Sequence, residues 1–168
     1  MANFEVAYAK LKKWEGGQVD DPVDPGGRTN AGITQRSWDA WVKENATATP
    51  KDVFDLTEGE IKVFYLFSYW KPIRGLDIES QAVADFLFSM AVLQGKRAAV
   101  RRMQRALGVK ADGVIGPKTI AAINAFDPVA LVRRFADSNR QFFHTIISRK
   151  PALVKFANGW ENRIKDHA

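Results

Sequence analysis

The segment QAVADFLFSMAVLQ, residues 81–94, is apolar on nearly every face of a helix of that length. A helix of this kind cannot lie on a surface. It has to be wrapped by other elements, so it is read as the central buried helix. Ser80 is the residue type that opens such a helix, and Gly95 follows its last turn. Most of the remaining chain has the 3.6-residue period of helices able to do the wrapping. Phe4, Ala7, Tyr8, Leu11 and Trp14 fall on one helical stripe, which Gly16-Gly17 is expected to end with a left-handed cap. Thr34 caps a short helix holding Trp38, Trp41 and Val42. After the stop ENATATPKD, the capping box Thr57-x-x-Glu60 starts a helix through Tyr69, closed by Pro72.

Beyond Gly95, Val100, Met103 and Leu107 give the inward face of a basic amphipathic helix capped by Gly108. ADGVIGPKT is a tight turn that places Pro117 in the first turn of the next helix. Asp127-Pro128 begins a long helix with Leu131, Phe135, Phe142 and Ile146 on one face. Pro151 breaks that pattern before a last helix containing Phe156, Trp160 and Ile164. No strand is clearly signalled, although the glycine-rich loop 16–33 can form a small β-ribbon. The expectation is an all-α fold of about seven helices.

Composition narrows the chemistry. The chain has no cysteine and only two histidines, which excludes disulfides, thiolate chemistry and a histidine-rich metal site. The first residues lack the apolar run of a signal peptide, and no segment approaches the roughly 18 apolar residues of a membrane span. The expectation is a soluble product made in the cytoplasm, without stable membrane insertion. The net charge of +6 favours polyanionic partners: nucleic acid, anionic lipid or an anionic cell wall. The excess is concentrated in GKRAAVRRMQRALGVK, residues 95–110, with six cations and no acid. Arg97, Arg101, Arg102 and Arg105 span two helical turns there, but no nucleic-acid recognition motif accompanies them.

One stretch fits neither helix nor strand. WEGGQVDDPVDPGGRTNAGITQ, residues 14–35, holds four acids, five glycines and two prolines. Its acids do not have the alternate spacing of an EF-hand. Asp-Pro and Gly-Gly steps can serve a purely structural turn. The third reading is carboxylate-based glycoside hydrolysis, which needs one acid able to give a proton and a second polar group to steady the cation or orient water. Glu15 suits the first role, because the carbonyl end of a helix disfavours negative charge and Trp14 can exclude water. Asp24 follows nine positions later, and Thr29, Asn30 and Thr34 offer uncharged hydrogen-bonding groups.

Trp14-Glu15-Gly16-Gly17, followed by Asp20-Asp21-Pro22-x-Asp24-Pro25-Gly26-Gly27-x-Thr29-Asn30-x-Gly32-Ile33-Thr34, strongly resembles the signature of glycoside hydrolase family 108. The similarity continues in Ala84-Asp85-Phe86, in Gln104-x-x-Leu107-Gly108, in Asp112-Gly113-Val114-Ile115-Gly116-Pro117-x-Thr119 and in Gly159-Trp160-x-x-Arg163. It therefore spans nearly the whole chain. The Glu-x8-Asp spacing is also similar to that of phage lysozymes, in which a Glu, an Asp and a Thr line the cleft. Gln18 departs from the family pattern, where an aromatic residue is more usual. Ser89 and Ala91 stand where Asn and Gly are more usual, and Asn30 stands where phage lysozymes have the Thr.

The resemblance implies a lysozyme-like helical fold and an N-acetylmuramidase, of the phage-endolysin or secretion-associated type. It implies a catalytic region over 1–93 and a peptidoglycan-binding-type helical region over 94–168, packed into one compact unit. Glu15 would be the general acid that cleaves the β-1,4 bond between N-acetylmuramic acid and N-acetylglucosamine. Asp24 would assist water or the cationic transition state, with Thr29, Asn30 and Thr34 binding substrate. Arg97, Arg101 and Arg105 would hold the anionic wall. No metal or cofactor is required, the partner is the peptidoglycan glycan strand and not nucleic acid, and a monomer is expected. Without a signal peptide, release to the cell wall in the periplasm would depend on a holin or a secretion system. The competing reading is a peptidoglycan-binding protein that keeps the fold without turnover.

Overall fold

The computed structural model describes residues 1–20 and 28–168; Asp24 is outside the described residues. Among these the chain is mainly helical. Its elements are α1 (Phe4–Leu11), β1 (Thr29–Asn30), β2 (Ile33–Thr34), α2 (Gln35–Glu44), α3 (Glu58–Tyr65), α4 (Gln81–Gln94), α5 (Lys96–Leu107), α6 (Pro117–Ala125), α7 (Pro128–Arg149) and α8 (Ala157–Lys165). The two strands form the small antiparallel ribbon that the loop composition allowed. The chain divides into two compact units, residues 8–68 and residues 1–7 with 69–168.

The start of the chain departs from expectation at one point. Phe4, Ala7, Tyr8 and Leu11 are buried as the stripe requires. The helix, however, ends at Leu11 and not at Gly16-Gly17, and neither glycine has a positive φ. Its last carbonyls are taken by tighter bonds instead, from Lys13 N to Lys10 O at 3.4 Å and from Trp14 N to Leu11 O at 2.8 Å. Such turns satisfy the orphan carbonyls of a helix end without a left-handed residue. Glu15 is thus presented just past a wound turn.

In the unit 8–68, the aromatic core is Trp38, Phe64 and Tyr65, with Ile33 and Val53 fully covered. The expected Thr34 cap is present, its Oγ1 accepting from Ser37 N at 3.1 Å. The Thr57–Glu60 capping box is complete, with Thr57 N donating to Glu60 Oε2 at 2.8 Å and Glu60 N to Thr57 Oγ1 at 3.3 Å. The loop is stitched to residues 51–55 by side chains. Gln18 Nε2 donates to Phe54 O at 2.9 Å, Asn30 Nδ2 to Val53 O at 2.8 Å, and Arg28 pairs with Asp52.

In the other unit, α4 is the buried centre that its composition demands, with every residue from Val83 to Ala91 buried. It packs against α5 and α7. Val100 and Met103 face inward as expected, but Ala106 is buried where Leu107 was expected. Gly108 ends α5 at φ 73°, and Asp127 caps α7 by accepting from Ala130 N at 2.8 Å. Leu131 and Phe135 are buried on α7. Phe142 and Ile146 are only half-buried.

Candidate active site

The ribbon explains why the loop carries Gly32. Strands β1 and β2 pair Thr29 with Thr34 and Asn30 with Ile33, leaving a two-residue turn of Ala31 and Gly32. Both have positive φ, 47° and 76°, the requirement of the tight hairpin turn whose twist matches its strands. Glycine at the second position has a further cause. A Cβ on Gly32 would overlap the Glu15 carboxylate and lie 2.7 Å from the Tyr65 hydroxyl. The glycine leaves the space in which the acid sits.

Glu15 is half-buried. It shares a small cavity of about 110 Å³ with Tyr8, Lys12, Ala31, Glu58 and Tyr65 among others. Tyr65, the last residue of α3, donates its hydroxyl to Ala31 O at 2.7 Å and so anchors the turn that faces Glu15. The second carboxylate here is Glu58, at the start of α3. It accepts from Lys12 Nζ at 2.8 Å and from Tyr8 Oη at 3.1 Å. The Lys12 hydrogen bond, aided by Tyr8, holds the Glu58 carboxyl below the usual carboxylate range. Two carboxylates therefore share the cavity, and Glu58 is engaged in an ion pair.

The other expected residues are placed as follows. Thr34 spends its hydroxyl on the α2 cap, and Asn30 gives its amide to Val53 O, so both brace the ribbon that carries the turn. Thr29 is half-buried and bridges to Val19, with N···O distances of 2.8 Å in both directions. Asp24 lies outside the described residues. Arg97 and Arg101 lay their stems over Gly113, and Arg101 Nε donates to Ala111 O at 3.1 Å. Arg105 is exposed on α5.

Sequence reasoning missed Tyr65, Glu58 and Lys12. Glu58 follows the Thr57 cap and Tyr65 lies on the apolar stripe of α3, so each already had an adequate local reason to be there. Nothing near them in sequence points to Glu15.

The second half of the motif set has a structural use. Buried Gln104 accepts from Gly113 N at 2.8 Å and donates to Asp112 Oδ1 at 2.9 Å and Val114 O at 3.0 Å. The Val114 N–H, and then Gln104, hold Asp112 below the usual carboxylate range. The Asp112–Gly113–Val114 turn is thereby fastened to α5. Ser89, one of the departures from the family pattern, accepts from the buried Arg163 Nε at 2.9 Å. This links α4 to α8.

A family model described as Glycosyl hydrolase 108 matches residues 8–95, and one described as Predicted Peptidoglycan domain matches residues 98–165. The matches meet around Gly95, between α4 and α5. No curated protein sequence matches the chain significantly. Among solved structures, the chain is similar to SagA of Brucella abortus, with 30% identity and a TM-score of 0.79 over 96% of this chain and 89% of that one. No helix of the described residues is long and apolar enough to cross a membrane. With the first match covering more than half of its length, this chain belongs to glycosyl hydrolase family 108 and is a peptidoglycan hydrolase.

Proposed function

We propose that the enzyme is an N-acetylmuramidase in which Glu15 protonates the glycosidic oxygen between N-acetylmuramic acid and N-acetylglucosamine. The observation that carries this reading is the Glu15 carboxylate over Gly32, in a cavity whose other carboxylate, Glu58, is ion-paired with Lys12. A general acid must be able to give its proton to the substrate, and Glu58 is engaged by Lys12 and Tyr8 instead. Tyr65 acts as a positioning residue by fixing the Ala31–Gly32 turn against which the acid is held. Asp24 then assists the water that attacks the oxocarbenium-like carbon, and Thr29 contributes a hydrogen bond to the sugar. Arg97, Arg101 and Arg105 add long-range attraction to the anionic wall.

The enzyme acts as a monomer at the cell wall, reached through a holin or a secretion system. Mass spectrometry of digested peptidoglycan tests the cleavage reading. Hydrolysis after N-acetylmuramic acid gives products with a reducing muramic end. Reducing glucosamine ends, anhydro-muramic ends or released peptides would each replace it with a different activity.

A further inference from the structure

Helices α5 and α7 leave a groove of about 570 Å³ between them. Four arginines line it, Arg102 and Arg105 from α5 and Arg134 and Arg149 from α7. On α7, positions 134, 138, 142, 145 and 149 recur every three or four residues, so a single stripe of that helix faces the groove. The one acid in the lining, Asp137, has its Oδ1 3.2 Å from Arg140 Nη1. Arg140 is in turn held by both oxygens of Glu161. The groove arginines have no carboxylate partner among the described residues.

Arg102 is the telling member. Its guanidinium lies over the Phe142 ring, 4.3 Å from the centroid, and its buried Nε has no hydrogen-bond partner among the described residues. Burial, and then the charges of Arg105 and Arg101, lower its affinity for the proton, so like charges crowd it with no anion in compensation. Half-buried Arg102 and three exposed arginines thus line one concavity.

The chemistry of the lining selects among anions. Guanidinium forks match carboxylate and phosphate alike. Half-buried Phe142 and Ile146 add apolar surface suited to small aliphatic side chains, and Ser138 and Gln141 add neutral groups suited to amides. In intact peptidoglycan the lactyl carboxyl of muramic acid is consumed in an amide bond to the peptide. The negative charge of that polymer therefore resides on the carboxylates of its alanine-containing stem peptides, not on its sugars.

We propose that the α5–α7 groove binds the peptide stem of peptidoglycan, with the stem carboxylates received by Arg102, Arg105, Arg134 and Arg149 and its alanine methyls resting on Phe142 and Ile146. This rests on the assignment of the chain as a peptidoglycan hydrolase and gives the C-terminal helices a defined ligand. Peptide recognition there holds the strand while the glycan is cut elsewhere.

The test is calorimetric titration of the full-length protein with a soluble disaccharide–tetrapeptide, which contains no bond for a muramidase to cut. Arg105→Gln with Arg134→Gln should weaken binding about tenfold or more, the loss of two charge-assisted contacts. The charge-matched pair Arg133→Gln with Lys150→Gln, exposed and outside the groove lining, should change it far less. Arg149→Gln alone should give a partial loss. All replaced side chains are exposed, and thermal melts report whether each variant folds.

Equal losses in the groove and control pairs would overturn the proposal, as would the absence of muropeptide binding. Disaccharide lacking the peptide should bind much more weakly, and equal binding would refute peptide recognition. Inorganic phosphate competing as well as the muropeptide would make the groove a general anion site and overturn the peptide assignment. Cleavage of peptide-free glycan chains, measured separately, tests the Glu15 reading, so either idea can fail without the other.

Discussion

Gly32 lies directly beneath the Glu15 carboxylate, at φ 76°, where a single added methyl group would occupy the space the acid fills. Gly32→Ala should therefore lower wall lysis at least about tenfold, beyond the ~1–2 kcal/mol that a left-handed alanine costs the fold. Ala31→Asn, at φ 47° in the same turn, should leave activity in place and raise stability by about 0.5–1 kcal/mol, because asparagine tolerates this region better. Lysis rates and thermal melts of the two variants check the pair. A fully active Gly32→Ala enzyme would refute the placement of the acid.

Glu15→Gln removes the transferable proton and keeps the shape. Activity on purified walls should fall by about 10²–10⁴-fold with the melting temperature nearly unchanged. A variant that retains a tenth of the wild-type rate would exclude Glu15 as the general acid.

Gln104→Leu should destabilise the C-terminal helices, since it removes the side-chain partner of both the Gly113 N–H and Val114 O and unfastens the turn from α5. The expected cost is about 2–3 kcal/mol, read as a drop of roughly 5–10 °C in Tm. An unchanged Tm would show that the 111–119 turn is held by something other than this side chain.

Stability should fall in acid with a definite sign. Glu58, Glu60, Asp112 and Glu161 are all held below their ordinary range, chiefly by Lys12, Lys51, the Val114 N–H and Arg140 respectively. A carboxylate lowered in the folded state stabilises it above the unfolded value of about 4, and that contribution is lost as pH falls through the folded value. Thermal melts should be nearly flat from about pH 7 to 5 and decline below about pH 4. Asp112→Asn should lessen the decline; an unchanged profile would remove Asp112 from this account.

Cleavage should invert the anomeric centre. Inverting enzymes leave room for a water between carboxyl groups roughly 6.5–9.5 Å apart, whereas a retaining enzyme needs a nucleophile about 5–5.5 Å from the acid. Glu58 is tied to Lys12 and Tyr8, and Asp24 is the residue proposed to orient the water. Asp24→Asn should be damaging but less so than Glu15→Gln, because the Thr29 hydroxyl and the asparagine amide can still hydrogen-bond the water. Proton NMR of the first product should show the α-anomer before mutarotation; a β-anomer, or a glycosyl adduct on Asp24, would establish retention.

Much of this architecture is determined by residues close together in the chain. The Thr34 and Thr57 caps, the Gly108 stop, the Asp127-Pro128 start and the burial of 83–91 follow from contacts within one or two turns, or from apolar period alone. The residues of the Glu15 loop do not by themselves select a role for the acid, because acids beside glycines also serve structural turns; the motif's resemblance to a family singles Glu15 out. The end of α1 is not legible either, since tight turns and a glycine cap satisfy the same carbonyls and only packing chooses between them. Tertiary structure alone set Tyr65 and Glu58 beside Glu15, across 50 and 43 residues of chain, and joined arginines of two helices around one groove. A helical stripe says that a face is buried or exposed. Which side chains meet across it depends on how helices dock, and that information is not carried by any one segment.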